Sequence, residues 1–200
     1  VYSRSGTPSK SGVGIFARVF MQHFPLLPVE EEGRLRDPVL RENFIERIFV
    51  FRRWREFLQQ KKSIGMLVDF HTRHKLLLLA HSPRHYQTMG KLVAAAKKTG
   101  LTETCTRYQH LLLEALALKA TVKKHTNVLQ HMMGYFKQEL TADEKHELLD
   151  VIDRFHHEYI PLLVPLTLIS HYVRKYNQEY LAAQYYLNPH PVELKLRNHV

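Results

Sequence analysis

Apolar residues recur at helical spacing along nearly the whole chain. Phe44, Ile45, Ile48, Phe51 and Phe57 form one stripe leading to Leu58, and Tyr86, Met89, Leu92, Val93 and Ala96 form a second. Tyr108, Leu111, Leu112, Ala115 and Leu118 make a third, and Leu148, Leu149, Ile152, Phe155 and Tyr159 a fourth. Such spacing puts each set on one face of an amphipathic helix. The punctuation between the stripes agrees. Asp37 is a good N-cap ahead of Pro38, whose missing N–H costs nothing in a first turn. Ser82-Pro83 closes one helix and opens another, Gly100 stops that one, and Thr141-Ala-Asp-Glu144 is a capping box. One helix is expected from about Thr121 to Leu140. After Pro161 and Pro165, a Tyr-rich helix is expected over Leu166–Leu187. Phe24–Leu35 carries two prolines and three consecutive glutamates, so extended backbone is expected there. The pattern predicts an all-α fold: a single multi-helix bundle of about six to eight helices with a short extended N-terminal segment.

The stretch Asp69–Tyr86, DFHTRHKLLLLAHSPRHY, stands apart from the others. On a helix His71, His74, Leu78 and His81 share one stripe with Lys75 at its edge, and leucines cover the rest. A helix apolar nearly all round belongs in the interior, with its histidines toward a cleft or a polar partner. In Lys123–Lys137, the residues Lys124, Asn127, His131, Gly134 and Gln138 fall on a narrow polar stripe flanked by Tyr135. Glycine in mid-helix costs about 1 kcal/mol against alanine, so a close neighbour is expected at Gly134.

Charge adds a preference for polyanions. The chain has 29 Lys and Arg against 19 Asp and Glu, a net +10, with 14 histidines besides. Half of that excess lies between Arg34 and Lys62, where nine bases meet four acids. Such a balance favours nucleic acid, nucleotides or an acidic protein. One cysteine, Cys105, excludes an internal disulfide and a four-cysteine zinc site, and fits a reducing cytoplasm. The longest apolar run, Ile160–Ser170, is far short of the about 20 residues a membrane span needs. The N-terminus has no signal-peptide pattern. It starts without Met and reads as the cut end of a longer chain.

If the two polar stripes face each other, they form a basic, histidine-lined groove for an anionic, planar ligand. The ligand-binding candidates are His71, His74, Lys75, His81, Arg84, Lys124, Asn127, His131 and Tyr135. Arg47, Arg52, Arg53 and Arg55 on the basic helix are the phosphate-contact candidates. No metal site is assigned: the HxxH at His71 and His74 is not HExxH and has no evident third ligand. His146, Asp150, Asp153 and His157 read as a solvated face. The chain carries no catalytic motif, no glycine-rich phosphate loop and no implied cofactor, and whether it is an enzyme stays open.

Three pieces carry a resemblance: FHTRHKLLLLAHSPRHYQTMGKLVA, KHTNVLQHMMGYFK, and PLLVPLTLISHYV with YLAAQYYLNPHPVELKLRN. With them the chain from about Asp37 to Asn198 resembles the YbgA-like family, a bacterial helical domain of unknown function. In many members this domain follows one that resembles thiouracil desulfidases, iron–sulfur enzymes acting on thiolated pyrimidines. SKSGVGIFARVFMQHFPLLPVEEEGRLRD is similar to the end of that domain. The resemblance therefore implies residues 1–36 as a desulfidase-like remnant and junction, and 37–200 as the helical domain. The cluster-ligating cysteines are not in this chain, so the desulfidase activity is not carried over. Two expectations follow. One is an accessory module presenting a thiolated nucleobase, nucleotide or RNA to an upstream desulfidase-like domain of the same polypeptide. The other is a structural or protein-interaction module with a basic face. Acid–base catalysis by His71, His74 or His131 is a third.

Overall fold

The computed structural model describes residues 13–191 and Arg197; residues 1–12, most of the N-terminal loop, and most of the C-terminal basic tail lie outside the described residues. Among the described residues the fold is all-α, with no strand. The helices are α1 (Ile15–His23), α2 (Pro38–Gln59), α3 (Ile64–Arg73), α4 (Lys75–His81), α5 (Pro83–Ala94), α6 (Ala96–Thr99), α7 (Leu101–Ala117), α8 (Val122–Met133), α9 (Ala142–His156), α10 (Leu163–Lys175) and α11 (Glu179–Ala182). Nine of them have seven or more residues. Phe24–Glu31 contains a turn and extended backbone and leads into a 3₁₀ turn, Glu32–Arg36.

The expected helix starts form by the expected chemistry. The Asp37 carboxylate accepts from the amides of Val39 and Leu40, ahead of Pro38. Thr141 and Glu144 close both halves of the capping box. Gly100, at φ +89°, separates α6 from α7 in a conformation that glycine alone adopts without strain.

Several expected long helices are shorter. The histidine-bearing helix expected over the Asp69–Tyr86 stretch breaks at His74 into α3 and α4, and the next breaks at Ala95. The α8 helix ends at Met133 and tightens into a 3₁₀ turn over Gly134–Phe136. Apart from its own turn of backbone and its two chain neighbours, no heavy atom lies within 4 Å of where a Cβ on Gly134 would stand, so the close approach expected there is absent. The glycine sits at a helix end, not in mid-helix. The Tyr-rich helix stops at Lys175, with Asn177 at φ 49°, and only the short α11 follows.

Helix α4 is the centre. Leu76, Leu77, Leu78 and Ala80 are each at most 1% exposed, and α4 touches α3, α5, α7 and α8. Each fully buried leucine contributes about 1.5–3 kcal/mol relative to exposure. Against this, α2 packs on α7, α5 on α7, and α9 between α8 and α10. Trp54 stacks on Phe57 and Tyr108 at 4.9 and 5.0 Å and donates its indole N–H to Gln109 Oε1 at 2.8 Å. No helix among the described residues is long and apolar enough to cross a membrane.

Candidate functional site

The inward face of α2 begins with charge. Its buried residues are Glu42, Asn43, Glu46, Val50, Trp54 and Phe57. The stripe expected from the sequence is turned partly outward, and Ile48 is 37% exposed. Reading helical spacing backward from Trp54 and Phe57 reaches Glu46 and Glu42, a signal that the polarity of those residues masks. Their partners come from far along the chain. Arg197 donates from Nε to Glu42 Oε1 at 2.9 Å and from Nη2 to Glu46 Oε1 at 2.8 Å. Its Nη1 donates to the Tyr186 carbonyl at 2.7 Å. His81 meets Glu46 Oε2 through Nε2 at 3.1 Å, and its Nδ1 donates to the Leu118 carbonyl at 2.8 Å. The Tyr186 hydroxyl lies 2.8 Å from His125 Nδ1.

Burial sets the protonation of this cluster. Desolvation, then the neighbouring Glu46, pushes Glu42 up to about 7. Burial acts the same way on Glu46, but the His81 hydrogen bond and the Arg197 charge outweigh it and hold Glu46 well below the usual range. Burial, then Arg197, pulls His125 down to about 3. Removing one member of a buried charged group costs about 3–5 kcal/mol, because its partners stay buried without it.

This cluster floors a hollow of about 550 Å³ between α2, the start of α8 and the α9–α10 connection. Glu42, Asn43, Glu46 and His125 supply polar groups, and Val39, Val122, Phe155, Ile160 and Leu162 supply apolar walls. The exposed lysines Lys119 and Lys123 stand at its edge.

The sequence-predicted histidines are placed otherwise than expected. His71, His74 and His81 are buried. His71 hydrogen-bonds the Tyr108 hydroxyl at 3.1 Å and stacks on Tyr86 at 5.1 Å. His74 donates from Nδ1 to the Phe70 carbonyl at 2.7 Å, accepts from Arg53 Nε at 3.3 Å, and lies against Phe70 and Tyr185. Burial, then Lys75, lowers His71 to about 4; burial, then Arg53, lowers His74 to about 3. Both are neutral near pH 7. Asn127, His131 and Arg84 are exposed. The two stripes therefore do not face one groove. The break at His74 splits the first, and Val128, Leu129 and Met132 take the core side of α8 and turn Asn127 and His131 outward. Lys124 reaches the other stripe only through backbone, donating to the His81 carbonyl at 2.6 Å.

Part of the candidate set does meet elsewhere. Tyr135, 37% exposed, stacks on Tyr180 at 5.0 Å with planes 16° apart. Lys75 lies 5.9 Å from the Tyr180 ring and close enough to His71 to lower its pKa. Tyr86, stacked on His71, also acts electrostatically on Tyr180. Lys75, half-buried, has no carboxylate partner among the described residues. Lys75, Tyr135 and Tyr180 thus meet in an aromatic seam with a cation in it, and the His71–Tyr86 stack lies near enough to act on it electrostatically. Spacing within one helix could not reveal a seam assembled from α4, α11 and the turn after α8.

The α2 arginines divide. Arg52 and Arg55 are exposed, with Arg52 paired to Glu56 at 2.9 Å. Arg53 turns inward, 4.1 Å over the Tyr185 ring, and donates from Nη1 to the Pro189 carbonyl at 3.0 Å. Arg47 is half-buried. Asp150, Asp153, His146 and His157 are exposed, and Cys105 is buried, its thiol pushed up in pKa.

Comparison with known proteins gives two matches. Residues 75–191 match the family described as "Protein of unknown function (DUF1722)". The chain is similar to "Uncharacterized protein YbgA" of Escherichia coli (strain K12), with 33% identity over 153 residues, covering 76% of this chain and 90% of that protein. No solved structure matches.

Proposed function

The chain belongs to the YbgA-like DUF1722 family, and from that premise we propose that it is an accessory module binding a nucleotide or RNA, thiolated in the setting of an upstream desulfidase-like domain. The observation that carries this reading is the Lys75–Tyr135–Tyr180 seam. Aromatic faces stack on any nucleobase, for about 1–3 kcal/mol per base. A half-buried lysine without a carboxylate partner favours the adjoining phosphate. Exposed Arg52 and Arg55 extend the positive surface, whereas Arg53 is committed to Tyr185 and Pro189.

The test titrates short RNAs, with and without thiouridine, and thiouridine monophosphate at two salt concentrations. Tyr135→Ala is expected to weaken RNA binding about tenfold, with Tyr135→Phe near wild type. Lys75→Ala is expected to flatten the slope of log K against log salt by about 1. Absence of salt-dependent binding to every ligand overturns the proposal. Binding to RNA but not to the mononucleotide identifies the polymer as the ligand.

A second reading, a protein-interaction module, has its own support at α1. Ile15 and Phe16 are each 81% exposed, Val19 and Phe24 are also exposed, and Phe16, Phe20 and Phe24 form a ladder of rings. The helix buries none of its nine residues in this chain. An isolated helix of that length is marginal in water, which favours a protein surface against it. The desulfidase-like domain implied upstream is the natural candidate. Monomeric mass for the present chain and ordered α1 only in a longer polypeptide would support this reading.

A further inference from the structure

Glu42, Glu46 and His190 bring three metal-ligand atoms together, with one oxygen from each carboxylate and a ring nitrogen all within 4.8 Å of one another. The two glutamates stand one turn apart on α2, where they are 8% and 2% exposed. His190 comes from the segment after α11, held between Pro189 and Pro191, and Arg53 fixes the Pro189 carbonyl at 3.0 Å. At the surface side of the ring, Nδ1 donates to the Pro191 carbonyl at 3.1 Å. That bond leaves Nε2 as the lone-pair nitrogen. It is closed off from solvent and has no hydrogen-bond partner among the described residues. A buried acceptor without a donor costs about 1–3 kcal/mol, and the nearby carboxylates, when ionised, cannot donate to it.

A cationic group already uses this cradle. The Arg197 guanidinium binds one oxygen of each glutamate, at 2.9 and 2.8 Å. A metal ion and the guanidinium need the same carboxylates. We infer that Glu42, Glu46 and His190 form a site for a divalent metal ion that exchanges with the side chain of Arg197. Mixed carboxylate and imidazole donors suit Mn²⁺, Fe²⁺ and Zn²⁺. The supports such ligands need are present: a backbone carbonyl behind the His190 ring, and His81 holding the second oxygen of Glu46. Metal–ligand bonds of about 2.0–2.2 Å hold ligand atoms within about 4.4 Å of one another, a spacing close to that of this cradle. The hollow lined by Glu42 and Glu46 gives the ion a route in. The inference stands independently of nucleotide binding.

The test titrates the metal-stripped chain with Mn²⁺ and with Zn²⁺ by calorimetry. One ion per wild-type chain is expected. Arg197→Gln should bind at least about tenfold tighter, because the competitor is gone. Adding His190→Ala to that variant should cost at least about 10–100-fold, since losing a ligand costs no less than losing a group that merely orients one. Unchanged affinity in Arg197→Gln, no binding in either protein, or binding indifferent to His190→Ala overturns the inference. If Arg197→Gln does not fold, the wild type still decides the question. Tryptic cleavage after Arg197 needs that buried residue released, so Mn²⁺ or Zn²⁺ should accelerate it, and no acceleration refutes exchange.

Discussion

Acidification from pH 7 to pH 5 should destabilise this protein through histidines kept neutral by burial. His74 is 0% exposed and His71 is 9% exposed. Their folded pKa values, about 3 and about 4, lie below the ordinary value of 6.5. The unfolded chain therefore takes up protons that the folded chain refuses. The associated stability is fully present above pH 6.5 and is lost as pH falls toward the folded values. Over the two units from pH 7 to 5, each of these histidines costs about 2 kcal/mol. His125 adds to the loss, though it lines the hollow and counts for less. Glu42 works the other way. Its raised pKa of about 7 gives stability that is present below its unfolded value and lost as pH rises through 7. The same acidification returns about 2 kcal/mol at Glu42. The net expectation is a loss of about 2–4 kcal/mol, a large share of a typical domain's stability. Urea unfolding at both pH values measures it. His74→Gln keeps polar groups beside Arg53 but does not titrate, so its stability should fall by about 2 kcal/mol less than the wild type's over the same interval. Equal losses in the two proteins would refute the assignment of a buried, neutral His74.

Two glycines should respond oppositely to alanine. Gly134→Ala, at φ −60° with open space where the Cβ goes, should raise stability by about 0.5–1 kcal/mol, whereas Gly100→Ala, at φ +89°, should lower it by about 1–3 kcal/mol; thermal unfolding reads both. Thr141→Ala opens the capping box of α9 and should cost about 1 kcal/mol in urea unfolding.

What could be read from the sequence was local. Asp37-Pro38, Gly100 and Thr141–Glu144 act within a few residues of themselves, and each marks a real helix end. The leucines of Lys75–His81 gave away the central helix, since no amphipathic reading could expose any side of it. The site was harder for a definite reason. Glu42 and Glu46 look like surface residues until Arg197, 155 and 151 positions away, supplies their counter-charge. Hydrophobic periodicity discounts such residues, and so the inward face of α2 was misplaced. The histidine stripe failed for a related reason. It presumes an unbroken helix, and nothing around His74 announces the interruption in the way a proline would.

That interruption has a consequence for synthesis of the chain. At the break, Gln184 accepts from the Leu76 amide at 3.3 Å and donates to the Thr72 carbonyl at 2.9 Å, and the Tyr185 amide donates to the Arg73 carbonyl at 3.0 Å. The core of the molecule is thus stitched by residues translated more than a hundred positions later. A ribosome that has finished α3 and α4 has not yet supplied the groups that complete them. The nascent protein must hold its most apolar helix in an unfinished state until more than a hundred further residues have been added.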